Sequence, residues 1–123
     1  MTRTRRALVG AVLALVLTSC TPQQINWHVF HPVGGNELVR QANDIATCES
    51  TMNPGAVSPG GGSHGLFQIH RIHAGRFPER WPHRLDALHS ATMARDLYLE
   101  QGWRPWSCRR TLVELGPAIA IER

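Results

Sequence analysis

The chain contains no lysine, so its 13 basic residues are all arginine. They are scattered rather than clustered, which leaves no basic stripe able to track a phosphate backbone. Three of them, Arg3, Arg5 and Arg6, fall in the first nineteen residues, and removing those three charges takes the formal balance from +4 to +1. The sequence pI of 9.8 is therefore largely a property of the N-terminal segment and gives little warrant for a nucleic-acid partner. Metal-site spacings are missing too. Seven histidines are present, among them His64, His70 and His73, but there is no His-Glu-x-x-His and no Cys-x-x-Cys. Scattered surface histidines are the better reading, with no metal and no cofactor required. Internal repeats are absent, and low complexity is confined to Gly60-Gly61-Gly62.

The one long apolar run, Ala7 to Leu17, is too short to span a bilayer comfortably. Preceded by the basic stretch Thr2-Arg3-Thr4-Arg5-Arg6 and followed by small residues, it reads as a secretory signal. Its end, Leu17-Thr18-Ser19-Cys20, resembles the lipobox of bacterial lipoproteins. That resemblance implies a mature chain beginning at a lipidated Cys20 and anchored on the outer face of a bacterial membrane, at the cell wall. An ordinary signal peptide with a chance cysteine is the alternative.

Cysteine is scarce: beyond Cys20 there are only Cys48 and Cys108. An exported compartment is often oxidising, so these two are candidates for a disulfide, with two free thiols as the alternative. About a hundred residues remain after the signal, enough for one small domain with reason to need a cross-link.

Residues 20–36 read as a tether, with Pro22, Pro32, paired glutamines and paired glycines but no helical periodicity. Asn36 is placed to cap a helix from Glu37 to about Ser50, whose Leu38, Val39, Ala42, Ile45 and Ala46 follow helical spacing. The stripe 38, 42, 45, 49 carries Glu49 onto the buried face at the end of that helix. Asn53-Pro54-Gly55 stops it. Ala56-Val57-Ser58 and Leu66-Phe67-Gln68-Ile69 suggest two short strands, and His70 to Phe77 a helical turn. A second helix is expected from Leu85 to Gln101, with Ala87, Ala91, Ala94 and Tyr98 along its packing stripe and Gly102 as C-cap. Residues 109–123 read as a tail. The fold expected is mostly α with a small β component (α+β), a short hairpin lying beside the helix that carries Glu49.

Burial and the negative end of the helix dipole both raise the pKa of a carboxylic acid. An acid protonated near neutral pH can give its proton to a leaving-group oxygen, as glycosidic cleavage requires. On spacing alone, a Glu49 that merely hydrogen-bonds to the glycine-rich loop is an equal reading.

Cys48-Glu49-Ser50-x-x-Asn53-Pro54, then Ala56-Val57-Ser58, then Gly65-Leu66-Phe67-Gln68-Ile69, resembles the soluble lytic transglycosylase domain of the lysozyme superfamily. Gly102-Trp103-x-Pro105-Trp106-x-Cys108 is similar to the end of its compact actinobacterial form, related to the resuscitation-promoting factors. The likeness covers about residues 37–108. It implies a small lysozyme-like domain acting on peptidoglycan glycan strands, Glu49 as catalytic acid and then base, and a Cys48–Cys108 bridge. It also implies that Ser50 fixes the helix end and that Gln68 and the backbone at Gly65 hold the substrate, with Asn53, His64 and Trp103 as further candidate contacts; Trp103 and Trp106 read equally as sugar platforms or as packing. With no second carboxylate opposite, the substrate's own acetamido group would shield the developing cation, and the product would be an anhydro sugar. This chain departs from the pattern in lacking Asn after Tyr98, in having Ser90 where relatives often have Asn, and in the tail after Cys108. A lysozyme-type hydrolase, a non-catalytic peptidoglycan-binding lipoprotein and a metal-binding lipoprotein are the competing functions. A monomer is expected.

Overall fold

A computed structural model of the chain describes residues 20–114. The signal expected over 1–19 and the end of the tail, 115–123, lie outside the described residues. The architecture is mostly helical, with one small antiparallel sheet, as the sequence leads one to expect. Among the described residues, no helix is long and apolar enough to cross a membrane.

The tether expected over 20–36 is not a tether. Helix α1, Pro22–Ser50, begins there. Thr21 opens it with a capping box: its hydroxyl accepts from Gln24 N–H at 3.1 Å, and Gln24 Oε1 accepts from Thr21 N–H at 2.8 Å. Pro22 sits in the first turn, where its missing N–H costs nothing. Val29 and Phe30 are buried from this segment, Phe30 lying 5.7 Å from the Phe67 ring and 5.8 Å from Trp103. The helix bends at Gly34 and Gly35, both with non-helical backbone; Gly35 has φ +66°, a conformation that costs other residues dearly. After the bend, Leu38, Val39, Ala42, Ile45 and Ala46 enter the core as their spacing requires. Asn26 Nδ2 donates to Asn43 Oδ1 at 2.9 Å, tying the two halves across the bend.

Helix α2, Ala87–Gln101, starts two residues later than expected because Asp86 is the N-cap, its carboxylate accepting from His89 N–H. Its small residues Ala91 and Ala94 are fully buried and allow close approach, and its main packing partner is α1. It stops at Gly102. Between the helices, β1 (Ser63–His64) pairs with β2 (Ile69–His70), Ser63 opposite His70 and His64 opposite Ile69. Val57 adds a single bridge to His64. The two strands expected at Ala56–Ser58 and Leu66–Ile69 are thus misplaced: Leu66 and Phe67 are buried through a tight turn, and only the end of that run pairs. Arg71–His73 and Trp81–His83 form 3₁₀ turns. The tail is also ordered at its start. Helix α3, Arg109–Glu114, packs on α1 and buries Leu112.

Candidate functional site

Glu49 stands in the last turn of α1, at the edge of an open groove of about 620 Å³. Three local devices fix that helix end. Thr51 and Met52 both adopt positive φ (54° and 59°), reversing the chain, while Thr51 and Met52 N–H close back on Thr47 and Ala46 carbonyls. Ser50 is buried, and its hydroxyl donates to Leu66 O at 2.7 Å, also lying 3.0 Å from Ala46 O. The Cys48–Cys108 disulfide, with Cα atoms 5.9 Å apart, fastens the last turn to the segment before α3.

The Glu49 carboxyl is half-buried, and that burial raises its pKa above the ordinary carboxylate value; a hydrogen bond from the Cys108 backbone N–H opposes the shift without cancelling it. Glu49 is the only carboxylate among the described residues that line the groove. Gln68, His70, Ile72 and His73 contribute to one wall, while Gln101, Trp106 and Ser107 contribute from the end of α2 and the segment beyond it. Burial, with the Arg76 and His70 charges behind it, lowers the His73 pKa, while Glu100 pulls the other way. Ile72 is 75 % exposed at the groove.

The expected site residues separate into groups. Glu49 and Gln68 share the groove. Gln68 has φ +49°, and its Nε2 donates to Ala56 O and Gly65 O, both at 3.0 Å, so its side chain braces the loop it belongs to. Ser50 positions the helix end from beneath. Asn53 turns its Oδ1 to Gly55 N–H at 3.0 Å, serving the reversal after the helix.

Packing against protein by itself requires glycine at position 65. At φ +81°, a Cβ there would fall 2.3 Å from Arg84 O and 3.1 Å from the Ser90 hydroxyl. Ser90 itself is fully buried and accepts from Phe67 N–H at 3.3 Å, anchoring the same turn. His64, expected at the cleft, is held elsewhere: Nε2 donates to Gly61 O at 2.8 Å, Nδ1 accepts from Arg84 Nε, and Trp81 meets the ring edge-on. Trp103 is not a platform over Glu49. It is buried, donates Nε1–H to Gln41 Oε1 at 2.9 Å, and lines a different hollow.

Trp106 reaches the Glu49 groove instead, its N–H held by Phe67 O at 2.8 Å. His70 and His73 are groove residues that sequence reasoning left on the surface; the only signal was their position just after Gly-Leu-Phe-Gln-Ile. Among the described residues, no three His, Cys, Asp or Glu side chains converge as a metal site would need. Comparison with known protein families, with curated proteins and with solved structures found no match.

Proposed function

We propose that the chain is a lytic transglycosylase of the lysozyme superfamily, cleaving the β-1,4 bond between N-acetylmuramic acid and N-acetylglucosamine in peptidoglycan. One observation carries the reading: a carboxyl of raised pKa, fixed at a helix end and the only carboxylate among the described residues lining a groove. The sequence motifs around Glu49, Gly65 and Gln68 support it.

In this reading protonated Glu49 donates to the glycosidic oxygen, and the C1–O bond breaks with its electron pair leaving on that oxygen. The acetamido carbonyl of the same sugar shields C1, in place of a second carboxylate, which the described residues lining the groove do not supply. Glu49, now a carboxylate, takes the proton of the C6 hydroxyl as O6 bonds to C1. The acid is restored, and no water is consumed. Half-burial suits both roles: it keeps the acid protonated further up the pH scale and makes the carboxylate a stronger base. Trp106 and Gln68 border the space the sugars would fill.

Glu49→Gln keeps the side chain's size and removes the transferable proton. Cleavage of purified wall should fall by roughly 10²–10⁴-fold while glycan binding persists. Undiminished turnover by the Gln variant would remove Glu49 from the chemistry. The lipobox-like ending supports a location at the cell wall, on a membrane-anchored monomer held through Cys20.

A further inference from the structure

Residues 20–36 contain no Asp, Glu, Lys or Arg, and Glu37 is the first charged side chain after Arg6. Within that stretch the first arm of α1 faces two ways. Asn26, Val29 and Phe30 are buried against the body of the domain, while Gln24, Trp27 and His28 stand exposed on the other side. Trp27 is 47 % exposed. Its ring stacks on His31 with centroids 4.6 Å apart, and His28 meets it edge-on at 5.4 Å. The indole is thus held on the outside of the helix, away from the core.

The place of this face along the chain says what covers it. Cys20 is exposed and directly precedes the Thr21 cap of α1. The apolar run Ala7–Leu17 and the lipobox-like ending both bring the membrane-seeking part of the chain up to that residue. Because the expected tether is helix, no slack separates Cys20 from the folded domain. Trp27 lies only about 9 Å along the axis from the cap, at 1.5 Å per residue. A domain attached there sits on the bilayer and does not float above it. An indole suits that depth, since its apolar body meets acyl chains while its N–H stays among polar groups. The lack of formal charge over 20–36 removes the largest cost of bringing protein surface into that region.

We infer that the Trp27 face of α1 docks on the bilayer to which Cys20 is joined, with the indole seated among the lipid headgroups. The inference rests on the proposed membrane attachment at Cys20 and is independent of the chemistry at Glu49. It sets a limit on reach. α1 has 29 residues, about 44 Å as a straight rod at 1.5 Å per residue, and its bend at Gly34 and Gly35 shortens that span. The Glu49 groove at its far end therefore works on the glycan nearest the membrane.

The test uses the full chain, produced in a bacterium that processes lipoproteins. Its membrane-held form is reconstituted in phosphatidylcholine–phosphatidylglycerol vesicles in which part of the phosphatidylcholine is brominated near the headgroup end of its acyl chains. Bromine there quenches only tryptophans that reach the interface. Part of the parent's emission should be quenched. Trp27→Phe, an exposed position outside the core and the groove, should lose that quenching completely, since Trp103 and Trp106 are buried and Trp81 is packed against His64. Mass spectrometry of the same preparation distinguishes an acylated Cys20 from a retained apolar run, and either one supplies the attachment. Equal quenching of the vesicle-held parent and variant, or none in either, overturns the inference and leaves the attachment and the Glu49 chemistry standing. A chain that bears neither acyl group nor apolar run and stays in solution overturns the attachment and the inference together, with the Glu49 chemistry still standing.

Discussion

Replacing Cys48 and Cys108 with alanine opens a covalent loop whose ends lie 60 residues apart in sequence. In the chain-entropy account, the released freedom of the unfolded chain is worth about 4 kcal/mol at 25 °C. Packing adds little, because Cys48 is exposed and Cys108 only half-buried. Against a usual total of about 5–15 kcal/mol, that is a large share for a domain of this size. Melting should fall by about 15–30 °C, at about 4–8 °C per kcal/mol. Urea unfolding followed by circular dichroism gives the free energy directly, and the m-value should rise as the uncrosslinked denatured state expands. The same bridge holds the Cys108 N–H that donates to Glu49 and lowers its pKa. Loosening it should raise the Glu49 pKa further and move the high-pH decline of activity to higher pH. A stability loss below about 1 kcal/mol would refute the entropic reasoning. An unmoved pH profile would refute the link to Glu49.

Glu49→Gln should also be read by stability. Because burial raises the folded pKa, the native state favours the protonated acid, and this contribution is complete below the unfolded value near 4.5 and is lost as pH rises through the folded value. The Gln variant should therefore gain on the parent in melting temperature as pH is raised across that window, and a constant difference would contradict the shift. Gly65→Ala should cost about 2–4 kcal/mol, since positive φ and the Arg84 carbonyl act together. Gly61→Ala, also at positive φ but in open space, should cost only about 1 kcal/mol; equal losses in thermal melts would show that the carbonyl gives way. Cys20→Ala should leave the chain uncleaved by the lipoprotein route and without incorporated fatty acid, and unaltered processing and labelling would remove lipid from the account.

Much of the site was legible because its signals are local. The steps from Leu38 through Ala42 and Ile45 to Glu49 follow one face of a helix, and burial of the first three carries the fourth to the groove. Gly102 ends α2 as expected, whereas the Asp86 cap starts it two residues later than the apolar pattern suggests. The start of α1 was misread because two prolines and two glycines outweighed a quieter pattern. Thr21-Pro22-x-Gln24 is a capping box, and Ile25, Val29 and Phe30 share a face. Pro32 sits inside the helix without ending it. Leu66 and Phe67 resemble a strand because they belong to a short apolar run, but it is the Ser90 hydroxyl, 23 residues away from Phe67, that fixes their turn. Which tryptophan borders the groove also depends on distant partners: Gln41 draws Trp103 to one side and Phe67 O holds Trp106 on the other. No local spacing distinguishes the two.

Mass spectrometry of the fragments released from purified peptidoglycan tests the central claim most directly. Glu49 acting as acid and then base yields muropeptides ending in 1,6-anhydro-N-acetylmuramic acid, one water lighter than a hydrolysed end, and Glu49→Gln abolishes them. Reducing-end muropeptides would contradict the transglycosylase reading and make the protein a hydrolase working through the same acid, whereas equal release by the parent and the Gln variant would contradict the catalytic role of Glu49 itself.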